Sequence, residues 1–128
     1  MGWNDFNKFR SHGKTEVVAI CDVEQARLDD ALASLTAIGG NHYGQLCDVA
    51  SAAAVREMTV DVNSKSPLSG VVHCAGVLAD AMLAKQSRER LKAVWGAKVG
   101  GARNLHNSCI EIGCSLDMFV LYSSVSTC

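Results

Sequence analysis

Four short apolar runs alternate with amphipathic stretches along this chain. The runs fall at 16–21 (Glu-Val-Val-Ala-Ile-Cys), 42–47, Gly70–His73 and 118–122 (Met-Phe-Val-Leu-Tyr). Their lengths, and the β-branched and aromatic residues in three of them, predict strands, with the first and third buried. Between them the apolar positions take helical spacing. Leu28, Ala31, Leu32, Leu35 and Ile38 share one face of a helix predicted over 24–38, and Gly39-Gly40 ends it. Ser51 stands where a helix cap belongs, ahead of an inner face of Ala54, Val55, Met58 and Val62. The single proline, Pro67, falls in the loop that follows. Ser87 is placed to cap a long helix bearing Leu91, Val94, Trp95, Lys98, Ala102 and Leu105 and running toward Ile112. Upstream of all this, Trp3, Phe6 and Phe9 make a loose helical face that Ser11-His12-Gly13 stops.

Strand and helix in strict alternation are the signature of a parallel sheet with helices on its faces. In such sheets ligands bind at the carboxyl ends of the strands. Here those ends carry Asp22, Asp48, the small-residue turn Cys74-Ala75-Gly76, and Ser123-Ser124. Four ends with suitable residues say more than any one of them.

Composition narrows the function classes. A chain of 128 residues makes one domain at most, and 48% hydrophobic residues suffice for a packed core. The net charge is −1 and the lysines and arginines are scattered, so there is no basic stripe for nucleic acid. No apolar run reaches the roughly 18 residues of a membrane span. The first residues, Met1-Gly2-Trp3-Asn4-Asp5-Phe6, carry neither an apolar leader core nor a myristoylation signal. The six cysteines, at 21, 47, 74, 109, 114 and 128, form no Cys-x-x-Cys pair and show no zinc-ligand spacing. Buried thiols acting as small hydrophobes are expected, with no metal, in a reducing compartment such as the cytoplasm or an organelle like the plastid.

Three segments together carry a resemblance: Cys47-Asp48-Val49, His73-Cys74-Ala75-Gly76-Val77-Leu78 and Trp95-Gly96-Ala97-Lys98-Val99-Gly100-Gly101. With Phe119-Val120-Leu121-Tyr122-Ser123-Ser124 they resemble the ketoreductase domain of type I polyketide synthases and of animal-type fatty acid synthase. Both belong to the short-chain dehydrogenase/reductase superfamily. The resemblance spans about residues 8–128 and implies a partial, NADP-binding, Rossmann-like α/β domain over 1–128. It implies reduction of a β-ketoacyl group on an acyl carrier protein to the β-hydroxyacyl group with NADPH, alongside other synthase domains. Ser124 matches the serine that hydrogen-bonds the substrate carbonyl, and Lys98 the lysine brought from the long helix. Asp48 matches the aspartate at the adenine, and Ala75 and Gly76 the turn against the ribose. Val49 and Cys74, beside them, are counted with the cofactor-binding residues. Asp80, in Leu78-Ala79-Asp80, stands where one stereochemical class has Leu-Asp-Asp and points weakly to D-configured alcohols.

The residue types suit the chemistry. Hydride delivery to a ketone builds negative charge on its oxygen, so the site needs donors aimed there. A serine hydroxyl is one, a tyrosine supplies the proton, and a nearby ammonium lowers the tyrosine's pKa. Read from the residues alone, Ser124 also suits a turn, Lys98 a solvated helix face and Asp48 a helix cap. A stand-alone dehydrogenase and a non-catalytic bracing domain remain the alternatives.

The chain departs from the family in its opening strand and phosphate loop, in its tyrosine and at Asp22. No Gly-rich phosphate loop precedes residue 16. The family's first strand, at the sheet centre between those ending at Asp22 and at His73, is absent, so two half-sheets are expected. The catalytic tyrosine is due about a dozen residues after Ser124, and neither Tyr122 nor Tyr43 can stand in for it. The resemblance implies NADPH; Asp22, where a residue holding the 2′-phosphate is due, favours the free 2′-hydroxyl of NADH and makes NADH the alternative. The isolated 128 residues are therefore expected to be poorly stable and catalytically silent. Mixing them with NADPH and a β-keto thioester should leave the nicotinamide absorbance unchanged, and a measurable decline refutes this.

Overall fold

A computed structural model describes residues 13, 15–37 and 39–122. In chain order the elements are β1 (Ala19–Asp22), α1 (Gln25–Thr36), β2 (Tyr43–Leu46), α2 (Ala52–Lys65) and β3 (Gly70–His73). A 3₁₀ turn (Leu83–Lys85), α3 (Arg88–Trp95), a π turn (Gly96–Gly100), α4 (Gly101–Glu111) and β4 (Met118–Leu121) follow. The alternation read from the sequence is present, and the fold is α/β with parallel strands. Trp3, Phe6, Phe9, Ser123 and Ser124 lie outside the described residues.

The described strands form two separate two-stranded sheets, β1-β2 and β3-β4, both parallel. The chain divides correspondingly into two compact units, one holding the described residues up to Leu46 and the other running from Cys47. In the first, Ile20 pairs with Gly44. Gly44 lies under α1, where a Cβ would come within 2.7 Å of Leu32 Cδ1 and 2.8 Å of Leu28 Cγ. Its missing side chain lets the helix settle onto the strand. Leu28 and Leu35 are the buried residues of α1, and Ala31 and Leu32 are half-buried.

In the second unit α2 packs against α4. Ser51 caps α2, its hydroxyl accepting from the Ala54 N–H at 3.3 Å. Val55, Met58, Thr59 and Val62 are the buried residues of α2, and Ala54 is half-buried. From α4, Gly101, Leu105, Ser108 and Cys109 are buried. Ser87 caps α3 through the Arg90 N–H.

Four expectations are corrected. The first strand is shorter than 16–21, because pairing begins only at Ala19. Strands one and three are not buried through their length: β1 has no fully buried residue, and β3 buries only His73. Each has a hydrogen-bonded neighbour on one edge alone among the described residues. The cysteines divide: Cys47 and Cys109 are buried, whereas Cys21 and Cys74 are exposed. Ile20 shares the face of its partner Gly44 toward α1, so Cys21 points to the opposite one. Cys74 lies past the end of β3.

The fourth concerns the long helix. Leu91 and Trp95 do not share the inner face of Leu105; they are 63% and 67% exposed, and α3 buries no residue. A phase shift alone would bring other α3 residues inward, and none is buried, so α3 has little packed against it. The π turn that follows adds one residue to a turn and moves the sequence by about 100° around the helix axis, so a single 3.6-residue period does not describe both halves.

Gly44→Ala should destabilise the fold by about 1–3 kcal/mol, as overpacking does. The urea midpoint would report this, and an unchanged midpoint would mean that α1 yields without cost.

Candidate functional site

The carboxyl ends of β3 and β4 lie side by side, with His73 paired to Leu121. The Tyr122 N–H donates to the His73 carbonyl at 3.0 Å and extends the ladder one residue past β4. After β3 the chain runs through Cys74, Ala75 and Gly76 without regular structure, with Cys74 and Gly76 exposed. Lys98 reaches this corner from the π turn. Its ammonium donates to the Tyr122 carbonyl at 3.3 Å. Its stem crosses Gly76 so closely that a Cβ there would lie 2.9 Å from Lys98 Cε. The small-residue turn thus admits a lysine stem over its backbone.

His73 completes a ring of contacts. Its Nε2 lies 3.1 Å from the Ala97 carbonyl oxygen and 3.2 Å from that of Lys98. Carbonyl oxygens only accept, so Nε2 carries the proton and donates. His73, Lys98 and Tyr122 are therefore linked pairwise: imidazole to Lys98 carbonyl, Lys98 ammonium to Tyr122 carbonyl, Tyr122 amide to His73 carbonyl.

Asp48 and Val49 follow β2 and lie in this same unit. Asp48 is exposed; one carboxylate oxygen accepts from the Ala50 N–H at 2.9 Å. Ser51, not Asp48, caps α2. Val49 is buried, and a Cβ on Gly101 would meet its Cγ2 at 2.9 Å. The Asn104 side-chain amide donates to the Val49 carbonyl at 2.9 Å and ties α4 to the loop behind Asp48. Val49's side chain is thus directed into the packing.

Lys98 and Gly76 meet beside the Cys74-Ala75 turn, and Val49, next to Asp48, is held by α4. Asp22 belongs to the other unit, where its carboxylate accepts from the Glu24 N–H at 2.9 Å ahead of α1. Asp80 is exposed, and its carbonyl accepts from Arg90 Nη1 at 3.4 Å. Ser124 lies outside the described residues. His73 and Asn104 were missed as site residues. A histidine closing an apolar strand, and an asparagine on the helix that carries Lys98, were the available signals.

Two buried thiols have raised pKa values. Burial pushes Cys109 up to about 11, with Cys114 adding to it. Burial, and then the neighbouring Asp48 charge, raise Cys47. Among the described residues no group of three His, Cys, Asp or Glu side chains could hold a metal ion. No described helix is long and apolar enough to cross a membrane.

The family model described as "KR domain" matches residues 6–128. This chain belongs to the KR domain family. Among relatives, the KR chain is 40% identical over 95 residues to the phenolphthiocerol synthesis polyketide synthase type I Pks15/1 of Mycobacterium marinum. That match covers 73% of the KR chain and 4% of the synthase, so the chain spans a small part of that protein's length. Its fold matches an N-terminal ketoreductase from a macrolactin assembly line with a TM-score of 0.76 at 23% identity, covering 84% of this chain and 22% of that one. A variant of actinorhodin polyketide ketoreductase, with NADPH, matches with a TM-score of 0.69 at 22% identity over 75% of this chain and 37% of its own. These structures place the KR chain in the Rossmann-like dehydrogenase fold, of which it covers a part.

The thiols provide a check on the packing. At pH 8 a thiol with a pKa of about 11 is thiolate in about one molecule in a thousand. In the folded chain iodoacetamide should modify Cys21 and Cys74 well before Cys47 and Cys109, as read by peptide mass mapping. Equal rates at Cys74 and Cys109 would contradict the burial described.

Proposed function

We propose that this KR chain is the central part of a β-ketoacyl reductase domain of a polyketide or fatty acid synthase. The domain reduces a β-ketoacyl group, carried as a thioester on an acyl carrier protein, to the β-hydroxyacyl group. The observation that carries the reading is Lys98, held between the ends of β3 and β4 by Tyr122 and over Gly76. A lysine on a solvated helix face needs no such seat, and a bracing domain has no use for one. A stand-alone dehydrogenase usually has asparagine at this helix position and its lysine after the tyrosine, so Lys98 favours the synthase reading.

The described residues fit a nicotinamide dinucleotide in part. Asp48 presents a carboxylate at the end of β2, and the Cys74–Gly76 backbone lies open beyond β3. When bound, the cofactor supplies the hydride. The protein's own work is at the carbonyl oxygen. Ser124 donates a hydrogen bond to it, and the Lys98 ammonium favours ionisation of the tyrosine expected further along. The tyrosine proton passes to the developing alkoxide, which leaves the alcohol. NADPH is the proposed cofactor. Asp22 supports NADH as the second reading, because a carboxylate there repels a 2′-phosphate.

The test uses the complete domain with a β-ketoacyl thioester. Lys98→Met and Ser124→Ala should each lower kcat by about 100-fold or more, the usual size of a lost acid–base or positioning group. NADPH should be preferred over NADH. Full activity in Lys98→Met overturns the assignment of the lysine, and a strong preference for NADH overturns the cofactor.

A further inference from the structure

The geometry assigns His73 a function of its own: it is the positioning residue that holds the π turn open and thereby aims Lys98. This deepens the reading above and rests on it. In a regular helix the Gly101 N–H would bond the Ala97 carbonyl, four residues back. Here it reaches Gly96 O, five back, and Lys98 O instead. The Ala97 carbonyl loses that partner, and a buried carbonyl without one is costly. His73 Nε2 supplies the donor at 3.1 Å and shares it with Lys98 O at 3.2 Å.

The histidine is placed to do this and little else. It is 4% exposed, so its ring is screened from bulk water and the hydrogen bonds face little competition. Gly101 brings the helix against it, a Cβ there falling 3.0 Å from His73 Cε1. Without the donor, the cheaper arrangement is the regular helix, in which Gly101 N–H recaptures Ala97 O. Closing the turn rotates residues on one side of it by about 100° relative to the other. Lys98 sits inside the turn, so its stem would leave Gly76 and its ammonium would leave the Tyr122 carbonyl. His73 therefore acts on the reaction through Lys98 and touches no reacting atom.

The experiment compares His73→Gln with His73→Met in the complete ketoreductase domain. The two side chains share length and approximate volume, and only glutamine carries an N–H donor. His73→Met should lower kcat by about tenfold or more while the KM for the nicotinamide cofactor stays within about twofold, the pattern of a group felt in the transition state. His73→Gln should recover most of the rate. In a Lys98→Met background, His73→Met should cost nothing further, because both changes remove the same seated ammonium.

Equal impairment in the glutamine and methionine variants, or a full extra loss in the Lys98→Met background, overturns the proposal. If Lys98→Met itself is fully active, the functional reading falls and this inference with it. If Lys98→Met is impaired and His73→Met is not, this inference alone falls. Should His73→Met fail to fold, long-range proton–nitrogen NMR of the unaltered domain decides. The Nε2–H tautomer at His73 supports the proposal, and the Nδ1–H tautomer overturns it.

Discussion

Helix α4 can lie against its own unit only because Gly101 has no side chain. At that point the helix backbone is pressed against Val49 and His73 together. From this approach the remaining contacts of the second unit follow. Asn104, further along α4, reaches the Val49 carbonyl and fixes the loop that begins at Asp48. His73 reaches the carbonyls of the π turn, and Lys98 reaches back to Tyr122. A bulkier residue at 101 would push the helix out, and these hydrogen bonds, most of them near 3 Å, would be lost together.

The same contact shows how a helix rather than a loop can seat a lysine at the ends of two strands. Helices hold side chains precisely but present them at fixed intervals. A π turn relaxes the interval at one place without breaking the helix. The polar groups it frees must be satisfied, and here a strand residue does so from inside the unit. The lysine is thus positioned by packing on three sides: the strand end of β3, the backbone past β4, and the glycine of the β3 turn.

Much of this was legible in the residues. The alternation of apolar runs and 3.6-residue periods gave the order of strands and helices, because burial imposes those periods directly. Ser51 and Ser87 were readable as caps because their side-chain chemistry acts locally. The resemblance singled out Lys98, Asp48 and the Cys74–Gly76 turn. The exposure of Leu91 and Trp95 was not legible. Exposure depends on what packs against α3, which its own spacing does not report, and the glycines at 96, 100 and 101 fit a plain helix as well as a π turn. Nor could His73 be assigned, since its partners are carbonyls 24 and 25 residues away and no local pattern joins them. The extent of the strands was overestimated, because edge pairing is a property of neighbours and not of the run itself.

The π turn also makes residue count a constraint in this stretch. Surface loops tolerate gain or loss of a residue because both ends can shift. Here Gly101 rests on Val49 and His73, whereas α3 buries no residue. Removing one residue between Trp95 and Gly101 would let the hydrogen-bond ladder close into a uniform helix. With Gly101 held, α3 would swing around the axis, carrying Leu91 and Trp95 to a new side, and Lys98 would leave Tyr122 and Gly76. The π turn is thus a spacer of fixed length between the seated lysine and the seated glycine.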